Sequence, residues 1–181
     1  TRLLELSLNS GGRLRFFANV LDKKGCKEVV EVMERDITWR QYSFKNKRFK
    51  EPHLQALLAA MDPEDENMQG PEMPAPAYAY KRVRVRAKNI SHYPVVDRLT
   101  ENVTIMLGTD DFEIGVNLLS YRNGEDAIGW HSDDSQGEKL VFCLVVESPK
   151  ATRVLKIRPK NPVDGDEQIE IFPAAGDGYE M

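Results

Sequence analysis

The chain has 181 residues, 41% of them apolar and 30% charged, with a formal net charge of −4; these proportions suit one globular domain with a proper core rather than two. A membrane-spanning helix needs about 18 or more consecutive apolar residues, and the longest apolar run here is the seven from Leu140 to Val146. The acidic balance argues against indiscriminate coating of nucleic acid, yet it allows a local basic stripe.

Phe16 and Phe17 precede a segment, Asp22 to Arg35, in which Val29, Val30, Val32 and Met33 recur at helical intervals among charged residues, with Asp22 placed to cap it. The aromatic and β-branched content of Ile37 to Phe44 predicts a strand, which runs into the basic cluster Lys45, Lys47, Arg48 and Lys50. Pro52 then opens an expected short helix, His53 to Met61. From Asp62 to Pro76, four prolines and five acidic residues with no apolar period predict a mobile loop.

Lys81 to Lys88 alternates with period two, which places Arg82, Arg84, Arg86 and Lys88 on one face of a strand and Val83, Val85 and Ala87 on the other. Pro94 to Leu107 has helical spacing, with proline in the first turn. The remainder predicts successive strands: Phe112 to Tyr121, a turn at Asn123-Gly124, Ala127 to Asp133, Lys139 to Val146, Arg153 to Ile157, and Gln168 to Phe172. Helices first and strands later suit an α+β chain, a jelly-roll barrel with helices outside it, better than a βαβ repeat. Cys26 and Cys143 lie far apart, and Cys143 sits inside an apolar run, so a disulfide framework is not expected. A reducing compartment, cytoplasm or nucleus, follows. The expected form is a monomer.

His131-Ser132-Asp133 is a His-x-Asp. In a strand, residues two apart project from one face, so imidazole and carboxylate can meet one cation while Trp130 and Ser132 face away. These are ligand types of the two-histidine, one-carboxylate triad that leaves open positions on Fe(II). By itself the pair also fits a surface turn. Its surroundings, Tyr121-Arg122-Asn123-Gly124-Glu125-Asp126-Ala127-Ile128-Gly129-Trp130-His131-Ser132-Asp133-Asp134, resemble the metal-site signature of AlkB-type iron(II)- and 2-oxoglutarate-dependent dioxygenases. Downstream, Leu140 to Val146, Arg153 to Ile157, and Gly176 to Met181 resemble in order the family's next strands and its Gly-x-Leu-x-Met type segment.

The resemblance implies a double-stranded β-helix. It also implies His131 and Asp133 as metal ligands, Tyr121 as a hydrogen-bond donor to 2-oxoglutarate, and dioxygen as co-substrate. Residues 1–110 then correspond to a helical, substrate-covering part containing the loop 62–76, and 111–181 to a jelly-roll core lacking its last strands, together one incomplete domain. The family's second metal histidine and its 2-oxoglutarate arginine lie downstream of the His-x-Asp, whereas His53 and His92 lie upstream and are expected to be surface or helix-packing residues. The chain alone is therefore expected to bind Fe(II) poorly. Either the histidine and arginine follow Met181, or the module no longer catalyses. Family members carry asparagine two residues before the tyrosine, where this chain has Leu119. Asn117, two further back on the same face, is the substitute candidate. Asp134 is a base-contacting or second carboxylate near the metal, or else a solvated turn residue.

What the family does implies oxidative decarboxylation of 2-oxoglutarate coupled to hydroxylation of a substrate C–H bond, with loss of formaldehyde where that bond is on an N-methyl group. Trp130 and Ile128 are expected to pack the barrel. Arg82, Arg84, Arg86 and Lys88, together with Lys45, Lys47, Arg48 and Lys50, supply the cations that nucleic-acid phosphates require, in keeping with a base flipped into the iron pocket; a charged edge strand that discourages aggregation is the competing reading. The expected function is oxidative demethylation of N-alkylated nucleobases in DNA or RNA. The alternatives are a dioxygenase acting on a protein or small molecule, and a noncatalytic interaction module.

Overall fold

A computed structural model describes residues 2–44, 49–50, 52–61, 77–80, 83–109, 115–131, 141–148 and 153–181. The loop expected over 62–76 lies outside them. The described residues form a mixed α+β structure with several sheets and two helices. No closed barrel is formed among them, and no helix is long and apolar enough to cross a membrane. Two compact units are present: Thr1–Glu34 with Trp130–Met181, and Arg35–Gly129.

The first unit is built on a four-stranded antiparallel sheet in the order β1-β2-β13-β10. Strands β1 (Arg2–Ser7) and β2 (Arg13–Ala18) form a hairpin closed by Leu8 N–H to Gly12 O at 2.8 Å and Gly11 N–H to Leu8 O at 3.0 Å, with Gly11 at φ 90°. Strand β13 (Gly178–Glu180) pairs with β2 on one side and with β10 (Phe142–Leu144) on the other. Leu14 and Phe17 are buried, and Phe17 meets the Phe142 ring edge-on at 5.8 Å. A second hairpin joins β11 (Leu155–Ile157) to β12 (Ile169–Ile171), with Lys156 and Glu170 opposed and ion-paired at 2.7 Å.

Helix α1 (Lys23–Asp36) matches the expected span within a residue. Cys26, Val29 and Met33 are its buried face, and Asp22 Oδ1 accepts the Gly25 N–H at 2.7 Å, satisfying one of the donors that a helix start leaves open.

Just before α1 the chain is held by a glycine. Gly176 O accepts the N–H groups of Val20 and Leu21 at 2.8 and 3.2 Å, and Gly176 N–H donates to Val145 O at 2.7 Å. Its φ is +93°, and a Cβ there would collide with Leu21 O. Gly176→Ala is therefore expected to cost at least about 2 kcal/mol, from left-handed strain and backbone displacement together. At Gly115, where a Cβ meets nothing within 4 Å, alanine is expected to be nearly neutral. Thermal unfolding of both variants checks the contrast, and equal midpoints would count against it.

The second unit holds a three-stranded sheet in the order β8-β5-β9. Strand β5 (Leu54–Ala59) pairs antiparallel with β9 (Gly115–Ser120) and parallel with β8 (Lys88–Asn89). Two short hairpins, β3 (Ser43–Phe44) with β4 (Phe49–Lys50) and β6 (Ala77–Tyr80) with β7 (Val83–Arg86), complete the strands. A 3-10 turn, Ile90–His92, leads into helix α2 (Pro94–Leu107), which has Pro94 in its first turn as expected and ends at Gly108 with φ 66°. Leu58, Ile90 and Val96 are almost fully buried; burying each such side chain contributes about 1.5–3 kcal/mol.

Four expectations change. His53 to Met61 is not a helix, because from Leu54 to Ala59 it is β5. Its Leu54, Leu57, Leu58 and Met61 do have helical spacing, but burial on both faces and pairing on both edges favour the extended form. Within Ile37 to Phe44 only Ser43–Phe44 is strand, and Arg40 makes an isolated bridge to Gln55. Of Ala127 to Asp133, the described residues 127–131 are not strand. Strands β1 to β8 all precede α2, so the order of helices before strands does not hold.

Candidate functional site

The β5–β9 register places Leu57 opposite Asn117 and Gln55 opposite Leu119. Along β9, Asn117 and Leu119 are exposed while Leu118 between them is buried, the period-two alternation expected from the sequence. Asn117 Oδ1 accepts a hydrogen bond from Gln55 Nε2 at 2.8 Å, and Gln55 is itself buried. Tyr121 follows β9 directly, half-buried, with its ring centroid 5.7 Å from that of His53. His53 is 2% exposed. It is therefore neither a surface residue nor a helix-packing one, since the segment it introduces is a strand.

Asn117 and Tyr121 are thus brought into one neighbourhood with Gln55 and His53. Sequence reasoning missed the latter two as neighbours of the site. Their signal was the period-two run His53, Gln55, Leu57, which the equally good helical spacing of the leucines masked.

After Tyr121 the chain turns on a charge-locked loop. Asn123 Oδ1 accepts the N–H groups of Glu125 and Asp126 at 2.9 and 3.0 Å, a side-chain turn typical of asparagine. The Asp126 carboxylate, 5% exposed, accepts from Arg122 three times: the backbone N–H and Nε reach Oδ2 at 2.8 Å, and Nη2 reaches Oδ1 at 2.9 Å. Hydrogen bonding to Asp126 raises the Arg122 pKa above its ordinary value. Ala127 N–H donates to Pro52 O at 3.1 Å. The Ala127 N–H is thus taken up by Pro52, and the described residues 127–131 do not form the expected strand.

In the first unit, Trp130 is 52% exposed, and the Arg158 guanidinium stands 4.1 Å over its ring, a geometry in which cation and π-face attract. Ile128 is 45% exposed. Barrel packing therefore does not describe either residue. His131 is exposed. Asp133 and Asp134 lie outside the described residues, as does Arg82. Arg84 and Arg86 lie on β7, registered opposite Ala79 and Ala77 of β6. Lys50 is exposed at the end of β4, whereas Lys45, Lys47 and Arg48 lie outside the described residues.

Among the described residues, no group of three His, Cys, Asp or Glu side chains is placed to hold a metal ion. His131 is one imidazole of the three donors a triad needs. The described residues thus do not complete an iron site.

No family model matches the chain. It is 27% identical over 164 residues to a Homo sapiens protein named alpha-ketoglutarate-dependent dioxygenase alkB homolog 3, covering 87% of this chain and 50% of that protein. The figures are the same for the Bos taurus protein of that name. This distant similarity supports an AlkB-like dioxygenase family. The chain spans about half the length of the curated relatives it matches.

Proposed function

We propose that the chain contributes to an Fe(II)- and 2-oxoglutarate-dependent oxidative demethylase of the AlkB type, on a jelly-roll scaffold, acting on N-alkylated bases in DNA or RNA. The observation that carries this is the similarity to two alkB homolog 3 proteins over 87% of the chain, in a sequence whose Tyr121 to Asp134 segment resembles the family's metal-site signature. His131 and Asp133 are the ligands the chain offers to iron. Bound iron would supply dioxygen activation coupled to decarboxylation of 2-oxoglutarate.

Within the reading, each remaining residue has a task of its own. The Tyr121 hydroxyl donates to a co-substrate carboxylate, and Asn117, oriented through its bond to Gln55, lines the same face. The Arg122–Asp126 lock fixes the loop that leads from Tyr121 toward His131. Asp134 contacts the base, and Arg82, Arg84 and Arg86 hold phosphates.

The test is succinate release by the whole protein with Fe(II), 2-oxoglutarate and N-methylated DNA or RNA oligonucleotides. Formaldehyde and demethylated base in equal amounts are expected. Turnover confined to methylated peptides or small metabolites would move the substrate class, and no turnover with any of these would leave a binding module. The phosphate contacts have a separate readout. Serine at Arg82, Arg84 and Arg86 is expected to weaken oligonucleotide binding and to flatten its dependence on log salt by about 0.7–0.9 per lost contact. An unchanged salt slope would remove these arginines from the interface.

A further inference from the structure

The second unit contains a cavity of about 360 Å³, walled by residues 37–42, β5, β8 and Tyr93. The cavity opens to solvent, and its volume falls at the small end of the range of about 300–1,000 Å³ typical of small-molecule sites.

Its lining is chemically divided. Ile37, Leu57, Leu58 and Ala87 are all buried, and they form an apolar floor. The cations Arg40 and Lys88, both with exposed side chains, belong to the same lining. Lys88 Nζ is anchored 3.4 Å from Thr38 Oγ1. Arg40 is fixed through its backbone, which exchanges two hydrogen bonds with Gln55 at 3.0 and 2.8 Å. No carboxylate lines the cavity among the described residues. Buried Asn89 is spent on the wall, because its Nδ2 donates to Met61 O at 3.3 Å and its Oδ1 accepts from Ser91 N at 3.2 Å. Tyr42 adds a hydroxyl whose pKa is pushed up, chiefly by burial, so it is a donor at neutral pH.

An apolar floor, two cations and several donors, with no acidic side chain among the described lining residues, select for one kind of occupant. We propose that this cavity binds a small organic anion with an apolar body, a carboxylate carried on a ring or branched chain. Arg40 and Lys88 receive the carboxylate, and Leu57, Leu58 and Ala87 receive the body. Neither Asn117 nor Tyr121 is among the lining residues, and the proposal does not depend on the dioxygenase reading.

Amide NMR of the labelled full chain, without iron or 2-oxoglutarate, tests it. Titration with 4-phenylbutyrate is expected to give saturable one-site shifts centred on Thr38, Ala87 and Lys88. Arg40→Gln combined with Lys88→Gln is expected to weaken phenylbutyrate at least about tenfold, as loss of charge-assisted contacts should, and to change the affinity of uncharged 4-phenylbutanol less than twofold. Both replaced side chains are exposed, so the variant should retain the wild-type spectrum away from the cavity. Shifts scattered over the surface, equal weakening of acid and alcohol, or displacement of phenylbutyrate by 2-oxoglutarate at similar concentration would each overturn the proposal.

Discussion

Replacing His131 with alanine is expected to lower succinate formation by the whole protein at least about a hundredfold. Loss of a residue that merely supports a metal ligand already costs about 10–100-fold in affinity or activity, and loss of a ligand should cost more. The exposed position of His131 means that the change removes little packing, so the variant should unfold at the wild-type temperature. Ile105→Ala, at a residue 77% exposed on α2, serves as an activity control. Increasing Fe(II) should restore part of the activity if the defect is one of metal affinity. Wild-type turnover in the His131 variant would remove this histidine from the iron site and with it the main support for the signature.

A second large effect concerns stability rather than chemistry. Glu180 is 3% exposed on β13, opposite Arg15 of β2. The Arg15 guanidinium grips both carboxylate oxygens, its Nε reaching Oε1 at 2.8 Å, while the more exposed Arg13 stands 4.0 Å away. Arg15→Ala leaves a buried carboxylate with, among the described residues, only that distant partner. Breaking a buried pair from one side costs about 3–5 kcal/mol, and the remaining Arg13 places the expected loss near the lower end. The alanine also removes the guanidinium from above the Phe17 ring, 5.5 Å from its centroid, a smaller term. Glu180→Gln in the Arg15→Ala background should recover part of the loss, because an uncharged amide is cheaper to bury than an unpaired carboxylate. Urea unfolding of the four proteins of this cycle measures the coupling directly. A loss under about 1 kcal/mol for Arg15→Ala would show that water, not protein, compensates the carboxylate.

Both helices were legible in the sequence because their signals are local. Asp22 caps α1, Pro94 opens α2, and their apolar residues recur at helical spacing. Strand β5 was not legible, since Leu54, Leu57, Leu58 and Met61 satisfy a helical period and only the long-range partners β8 and β9 decide against it. The hairpin of β1 and β2 escaped notice although Asn9 to Gly12 is rich in turn residues. At the candidate site, strand parity correctly placed Asn117 and Leu119 on one face. It could not show that Gln55 and His53 stand beside Asn117 and Tyr121, because those contacts depend on a pairing across 62 residues. The strand expected from Ala127 to Asp133 is absent from its described part, whose first N–H is bonded to Pro52.

The pairing of β2 with β13 joins residues as far apart as Arg15 and Glu180. On a ribosome adding about 5–20 residues per second, β2 is made roughly ten to thirty seconds before the strand that covers its edge. Residues 35–129 form a contiguous stretch whose sheet partners all emerge within it. That half can settle while the other still waits, with Phe17 and an open strand edge presented to the cellular milieu.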